Sequence, residues 1–353
     1  MNKKSSGIVE MAERLGVSIA TISRAMDPKK CHKVKEGRRR EILELADKLR
    51  YQPNPGARML QRGHNSTIGV LIPKQEGIFF SEFYGRLLDG LIHAVNGKNR
   101  ELRINTITLA DHSILDQFRR IGLGSSGLIY VGTPLSMSQV DEIAGYHSPL
   151  ILLSSALPTN CPLEKLKCHV LGVDNYIGAI IAANHIVGLG HKRIGLILGP
   201  EESRDFCERE KGYRDGLAKA GIGLQENMVF RGSYDQECGR QGCKYFIAQA
   251  QRPTALICAT DSIAFGAIDS IKEHGLDCPR DISVIGFDDG PWALASLPKL
   301  TTIRQPLGAL SEKAVEILES SIVHTEVNHT QRCLLTPILK VRESTAPPLS
   351  ARR

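Results

Sequence analysis

No run of apolar residues approaches the roughly 18 that a membrane-spanning helix needs, so the sequence does not read as a helical membrane protein. The opening residues Met1-Asn2-Lys3-Lys4-Ser5-Ser6-Gly7 are basic. They lead into an amphipathic stretch rather than a continuous apolar one, so they do not read as a signal peptide. The expected compartment is the cytoplasm, with no membrane partner. The nine cysteines are odd in number and scattered, and neither Cys161/Cys168 nor Cys238/Cys243 has metal-type spacing, so reduced thiols are expected. There is no Walker loop, and no recognisable nucleophile–base motif. Gly122-Leu123-Gly124-Ser125-Ser126-Gly127 fits the dinucleotide pattern literally. It precedes a strand-like run, however, and the fingerprint must follow a strand and open a helix. The sequons Asn65-Ser66-Thr67 and Asn328-His329-Thr330 carry no meaning without secretion. No catalytic residue, metal site or cofactor is expected, and the chain does not read as an enzyme.

What is present is size, apolar content and unevenly placed charge. A chain of 353 residues, 42% hydrophobic, is long enough for two or three domains with sizeable cores. The net charge is +7. Residues 1–65 hold 15 Lys+Arg against 7 Asp+Glu, a net +8, so the rest of the chain carries −1. The excess sits in one small N-terminal segment, which favours a polyanionic partner for that segment alone. A solubilising basic tail is the competing reading.

Three textures follow one another. Residues 1–52 contain a helical stretch over 8–51 without a strand-like run, and residues 53–66 are polar with turn residues and read as a linker. From Thr67 onward, short apolar runs alternate with amphipathic helices. The runs are 68–72, 102–108, 127–131, 150–153, 170–173, 194–198, 228–231, 255–258 and 283–287. Helical patterns such as 82–96, 177–187, 210–220, 239–250 and 262–274 lie between them. Buried strands separated by helices imply parallel sheets covered on both faces. The strands are too many for one comfortable open sheet, so an α/β body of two doubly wound lobes is expected.

The strongest local signal is Ile8 to Arg24. Val9, Ala12 and Leu15 can share one face of a first helix, and Ala12 is small enough for a second helix to cross closely. Gly16 can take the positive φ of a sharp turn, and Ser18 can cap the second helix. Val17 and Ile22 then face inward, while Ile19, Ala20, Thr21 and Arg24 face outward near the second helix's N-terminal half. That half enters the major groove in a helix-turn-helix. Ile19 and Ala20 can touch thymine methyls but cannot hydrogen-bond base edges, which leaves Arg24 more of the readout. A basic loop, Lys29-Lys30-Cys31-His32-Lys33-Val34-Lys35, follows and reads equally as a phosphate contact or a solvated loop. Arg38-Arg39-Arg40 lies on a helix and projects three ways.

These residues, with Ala12, Gly16-Val17-Ser18 and Thr21-Ile22-Ser23-Arg24 foremost, resemble the lac repressor family of transcription regulators. The resemblance runs over about 8–347. It continues through Leu49-Arg50-Tyr51-Gln52-Pro53-Asn54, Ala57-Arg58-Met59-Leu60 and Thr67-Ile68-Gly69-Val70. Leu189-Gly190-His191-Lys192-Arg193-Ile194, Ser283 to Asp289, Leu300 to Pro306 and Ser344-Thr345-Ala346-Pro347 carry it to the end. It implies a helix-turn-helix headpiece over 1–52 and a hinge helix and linker over 53–66. The body, 67–347, resembles periplasmic binding proteins and crosses between lobes near 165 and 290–335, with a tail over 348–353.

By the same resemblance, the hinge folds on operator DNA, with Ala57 and Arg58 in contact and Leu60 as a wedge in the minor groove. Pro55 suits the first helical turn, and Gly56 stands where a larger apolar residue is usual. Lys35 replaces the serine that normally caps helix three. A plain linker is the alternative. The implied effector residues are Phe79, Phe80, Arg209, Tyr234, Thr260 and Asp288. The competing readings are core packing for each Phe, a surface charge for Arg209 and a turn or cap for Asp288. Thr260-Asp261 stands where the family usually has Asn-Asp, and Gly77-Ile78 replaces the usual Asn-Pro before the aromatic pair.

The expected function is a sequence-specific repressor whose operator affinity is set by a small ligand between the lobes, a sugar or sugar derivative. The partners are near-palindromic double-stranded DNA, the effector and a second copy of the chain. The tail lacks leucine heptads, so no terminal tetramer is expected. A solute-binding protein fits the body equally well but not the basic first 65 residues or the missing signal peptide. An α/β enzyme with a DNA-binding head lacks visible catalytic groups.

Overall fold

The computed structural model describes residues 7–27, 30–49, 51, 66–75, 78–109, 113–132, 135–154, 157, 161, 166, 168–201, 203–323 and 332–349, with the side chain of Phe80 excepted. The chain divides into Met1–Ser66 and Thr67–Arg353.

Among its described residues the first unit has three α-helices, α1 (Gly7–Leu15), α2 (Ile19–Ala25) and α3 (Glu36–Lys48), with a 3-10 turn at Cys31–Lys33. Gly16 takes φ +58°, and Val17 N–H returns to the Ala12 carbonyl at 3.1 Å, closing α1 with a left-handed residue. Ser18 caps α2 by accepting from Thr21 N–H at 3.2 Å. Met11, Ile22, Ala25, Ile42 and Ala46 form the core, with Ala12, Leu15 and Val17 packed against it. Ile22 points inward as expected. The buried anchor of α1 is Met11 rather than Val9, which stays outside the cluster. Lys35 precedes α3 without a side-chain cap. The three arginines do diverge: Arg38 pairs with Glu41, Arg39 reaches the Ala25 carbonyl, and Arg40 is exposed.

The second unit contains two six-stranded sheets. One has the order β11-β5-β4-β3-β1-β2, from Thr67–Pro73 (β1), Glu101–Ile107 (β2), Gly127–Val131 (β3), Leu150–Leu153 (β4), His169–Val173 (β5) and Arg332–Leu335 (β11). The other has the order β12-β10-β9-β8-β6-β7, from Ile194–Leu198 (β6), Val229–Arg231 (β7), Ala255–Cys258 (β8), Ser283–Asp288 (β9), Thr301–Arg304 (β10) and Ile338–Lys340 (β12). All pairings are parallel except β10 with β12. Parallel strands covered on both faces read as continuous apolar runs, and β1, β3, β4, β6 and β8 are buried throughout. The decoy glycines 122–127 lie between a helix end and β3, as their order implied.

The helices of the first lobe are Glu82–Asn96 (α4), Ile114–Gly122 (α5), Met137–Ile143 (α6) and, late in the chain, Leu307–Val323 (α12). Those of the second are Asn175–Gly188 (α7), Arg204–Lys219 (α8), Gln236–Ile247 (α9), Asp261–Glu273 (α10) and the short Trp292–Ala295 (α11). A Cβ on Gly212 would collide with the Tyr176 carbonyl, so α8 crosses α7 at backbone contact distance. The first crossing between lobes comes after Val173, not near residue 165, because His169–Val173 still pairs in the first sheet. The chain returns between β10 and α12 and leaves again between β11 and β12.

Candidate functional site

The C-terminal ends of both sheets bring polar groups together, where ligands bind in open α/β sheets. Arg209 projects from the buried face of α8 and is 4% exposed. Its Nε donates to Asn175 Oδ1 at 2.8 Å and its Nη1 to the Ala259 carbonyl at 2.5 Å. Its guanidinium lies 3.7 Å from the centre of the Phe287 ring, a cation–π contact in a desolvated place. Arg209 Nη1 is 3.9 Å from Asp288 Oδ1, which also accepts from Gln305 Nε2 at 2.5 Å. Asp288 closes β9 with φ 135°, and Asp289 follows at φ 58°, two left-handed non-glycine residues in succession. Arg209 is therefore no loose surface charge, and it lies against Asp288.

A second carboxylate lies behind the first. Asp261 is fully buried, accepts from Thr302 Oγ1 at 2.5 Å and receives Gly290 N–H at 3.0 Å. Burial and the Asp288 charge push its carboxyl up to about 8. Burial also raises Asp288, against the opposing pull of Arg209 and the Gln305 hydrogen bond. Burial acts on Asp289 too, but hydrogen bonds from Arg342 and Arg304 outweigh it and hold that carboxyl below its ordinary value.

The remaining expected residues divide. Thr260 has its hydroxyl engaged within the protein: it caps α10 by accepting from Ile263 N–H at 3.1 Å and donates to the Tyr234 carbonyl at 3.4 Å. Tyr234 is half exposed, and its hydroxyl accepts from Gln75 Nε2 of the other lobe at 2.9 Å. Phe79 sits in the 3-10 turn Ile78–Phe80 and is 59% exposed, with no ring contact to the cluster among the described residues. The side chain of Phe80 lies outside the described residues, as do Ala57, Arg58 and Leu60. Tyr84, on the first turn of α4, lies close enough to Tyr234 and Asp205 to sense their charges. Burial, then Tyr234 and Asp205, push its phenol up to about 12.

Sequence reasoning also missed Asn175, which links Arg209 to Asp205 by a 2.9 Å bond, as well as Gln305, Asp261, Glu82 and Arg86. Gln305 and Asp261 stand inside motifs that carry the family resemblance, but nothing local says that their side chains converge. A cavity of about 20 Å³ lies nearby, lined by Ser154, Gly172, Arg204, Asp205, Glu208 and Arg332 among others. Across it, Glu208 Oε1 accepts from Arg204 at 2.8 Å and Arg332 at 3.4 Å.

In the first unit, Ser18, Ile19, Ala20 and Arg24 are exposed along α2, and Ile19 is 43% exposed despite being apolar. Thr21 is partly buried, and its hydroxyl is 2.9 Å from that of Ser18. Lys30, Lys33 and Lys35 are exposed beside this helix and form no ion pair among the described residues. An exposed helix face near lysines that form no ion pair among the described residues suits a duplex groove and its phosphates. No helix among the described residues is long and apolar enough to cross a membrane, and none of their His, Cys, Asp and Glu side chains group as a metal site.

Comparison with known proteins agrees with both halves. Residues 183–345 match the family described as periplasmic binding protein-like domain. The HTH-type transcriptional repressor CytR of Escherichia coli (strain K12) is 30% identical over 347 residues, 95% of each chain. The lac repressor bound to ONPG in its repressed state superposes with TM-score 0.81 at 24% identity, over 98% of this chain and 100% of that one. The CelR–cellobiose complex gives TM-score 0.69 at 22% identity, over 97% of this chain and 100% of that one. With that identity across nearly the whole of both chains, and with a capped helix pair ahead of a two-lobed α/β body, this protein belongs to the LacI family of helix-turn-helix, DNA-binding transcription regulators.

Proposed function

We propose that this regulator is a homodimeric repressor whose hold on a near-palindromic operator is set by a sugar or sugar derivative bound between its lobes. The carrying observation is the Arg209–Asp288–Gln305 cluster at the strand ends, with Tyr234 held against neighbouring Thr260 and Tyr84 close enough to sense Tyr234. A guanidinium and a carboxylate that are hydrogen-bonded in place suit vicinal hydroxyls, and flat aromatic faces suit a ring's apolar side. CelR is a regulator in complex with cellobiose, which supports a carbohydrate here. The chain acts by binding rather than by turnover, and it works where the operator is, in the cytoplasm.

On the DNA side, Ser18, Ile19, Ala20, Thr21 and Arg24 meet the major groove. Ala57 and Arg58 meet the hinge contact, and Leu60 is the minor-groove wedge. The domain limits follow: headpiece 1–52, hinge 53–66, effector and dimerisation body 67–347. Trp292, Leu294 and Leu297 are each more than half exposed on the second lobe, an apolar patch that favours a second copy of the chain as its cover. A ligand can act only through a difference in its affinity for two lobe arrangements.

A thermal-shift screen of the full chain against sugars, sugar phosphates and nucleobases tests the reading. A sugar should raise the melting temperature of wild type, and Asp288→Ala should abolish that shift. A shift produced only by nucleobases, or one retained in full by Asp288→Ala, would contradict it.

A further inference from the structure

Two side chains of α4 reach across the cleft. Arg86 Nη1 donates to the carbonyls of Asp288 at 2.8 Å and Asp289 at 2.9 Å. These are the residues with φ 135° and 58°, a conformation held only when the surroundings enforce it. Glu82, one turn earlier, lies against Gly290, where any Cβ would strike its carboxylate. Its Oε1 is buried and has no hydrogen-bond partner among the described residues. The pair is spaced i, i+4 with the acid first, the order that favours an ion pair on a free helix surface. Here no ion pair joins them, and Arg86 gives its donor to the second lobe instead.

We propose that Glu82 and Arg86 form a two-position latch, in which Arg86 binds the Asp288 and Asp289 carbonyls when the lobes close and Glu82 when they part. The inference rests on the reading of the cleft as a ligand site whose lobes move. It adds a coupling of that movement to protons. In the closed arrangement Glu82 faces Asp288, with Asp261 of α10 behind it and Arg86 and Arg209 as the nearby cations. Asp289 is already paired with Arg304 and Arg342. Burial, then the Asp288 charge, push Glu82 above its ordinary value, and Arg86 offsets only part of this. With the lobes apart, Glu82 is solvated and paired, so its carboxyl falls back. The closed form therefore binds more protons. Closure strengthens as pH falls through the raised Glu82 value and weakens above it. Asp261 is sealed by Thr302 and Gly290 of its own lobe. The Glu82 charge adds the smallest of the upward pushes on it, so closure raises its hold on a proton in the same direction, and Glu82→Gln removes that contribution too.

Spin labels on unnatural residues at exposed Lys98 and Lys219, one per lobe, would report the interlobe distance in the full chain. Electron–electron resonance from pH 5 to 8, alone and with ribose or cellobiose, reads the populations. The short-distance population of wild type should grow as pH falls. Arg86→Ala should move the population to the long distance at every pH. Glu82→Gln should move it to the short distance and remove the pH dependence. Opposite signs in two neighbouring variants cannot both come from loss of fold. An Arg86→Ala distribution equal to wild type, or a pH dependence that survives in Glu82→Gln, overturns the latch. If a sugar shifts the distance while both variants behave as wild type, the latch alone falls. If neither sugars nor pH nor the variants move it, the reading of a mobile cleft falls as well.

Discussion

Removing Arg209 tests whether this buried cation holds the carboxylate cluster together. Arg209→Ala deletes two hydrogen bonds from a buried cation and the face it stacks on Phe287, and it removes the stronger of the two cations that act on the Asp288 carboxylate. Breaking one side of a buried charged pair costs about 3–5 kcal/mol. Two charge-assisted hydrogen bonds at roughly 1.5–3 kcal/mol each give an overlapping range of about 3–6 kcal/mol. For a domain of this size such a loss lowers the melting temperature by roughly 10 °C. The penalty should shrink in acid. Without Arg209 the folded-state carboxyl of Asp288 rises further above its unfolded value. Stability is then fully present below the unfolded value and is lost as pH climbs through the folded one. Calorimetry of wild type, Arg209→Ala, Asp288→Asn and the double variant between pH 4 and 8 measures this. The double variant should be closer to wild type than Arg209→Ala alone. An Arg209→Ala protein that melts as wild type at pH 8, or a penalty that grows in acid, would rule out this role for Arg209.

Met11→Ala empties the centre of the first unit and should cost about 2–5 kcal/mol there, abolishing DNA binding while the melting of the body, followed by calorimetry, stays unchanged. Replacing Lys30, Lys33 and Lys35 by Ala should flatten the slope of log affinity against log salt by about 0.9 for each phosphate no longer neutralised, and an unchanged slope would leave these lysines as a solvated loop. Asp261→Asn removes a carboxyl pushed up to about 8. Wild type should lose stability from that group as pH rises from its unfolded value through about 8, and the variant should not; denaturant melts across this window decide it.

The body was legible in outline because buried parallel strands announce themselves. Leu150–Leu153 and Ala255–Cys258 are bare apolar runs between helices, and they are strands from end to end. The late strands Arg332–Leu335 and Ile338–Lys340 were not legible, because their sheet-edge positions leave alternate side chains exposed and shorten the apolar signal. The capped turn at Gly16 and Ser18 could be read because each residue type has a local backbone reason to be there. The cleft was harder. Two aromatic pairs, Phe79-Phe80 and Phe83-Tyr84, stand close together in the sequence, and only the start of α4 at Glu82 decides that Tyr84 comes near Tyr234 and Asp205. Gln305, Asn175 and Arg86 come from three distant segments, and their convergence is a property of the sheet order, not of any local pattern.

Whether this chain reads a specific operator through α2 can be measured by selecting duplex DNA from a random pool with the full chain and then determining affinity for the enriched site. Wild type should enrich one near-palindromic sequence and bind it tightly, with affinity falling steeply as salt rises. Arg24→Ala should cost about 1–3 kcal/mol and relax the preference at one position in each half-site. Recovery of no common sequence, or equal affinity of wild type and Arg24→Ala for the enriched site, would contradict operator recognition through this helix.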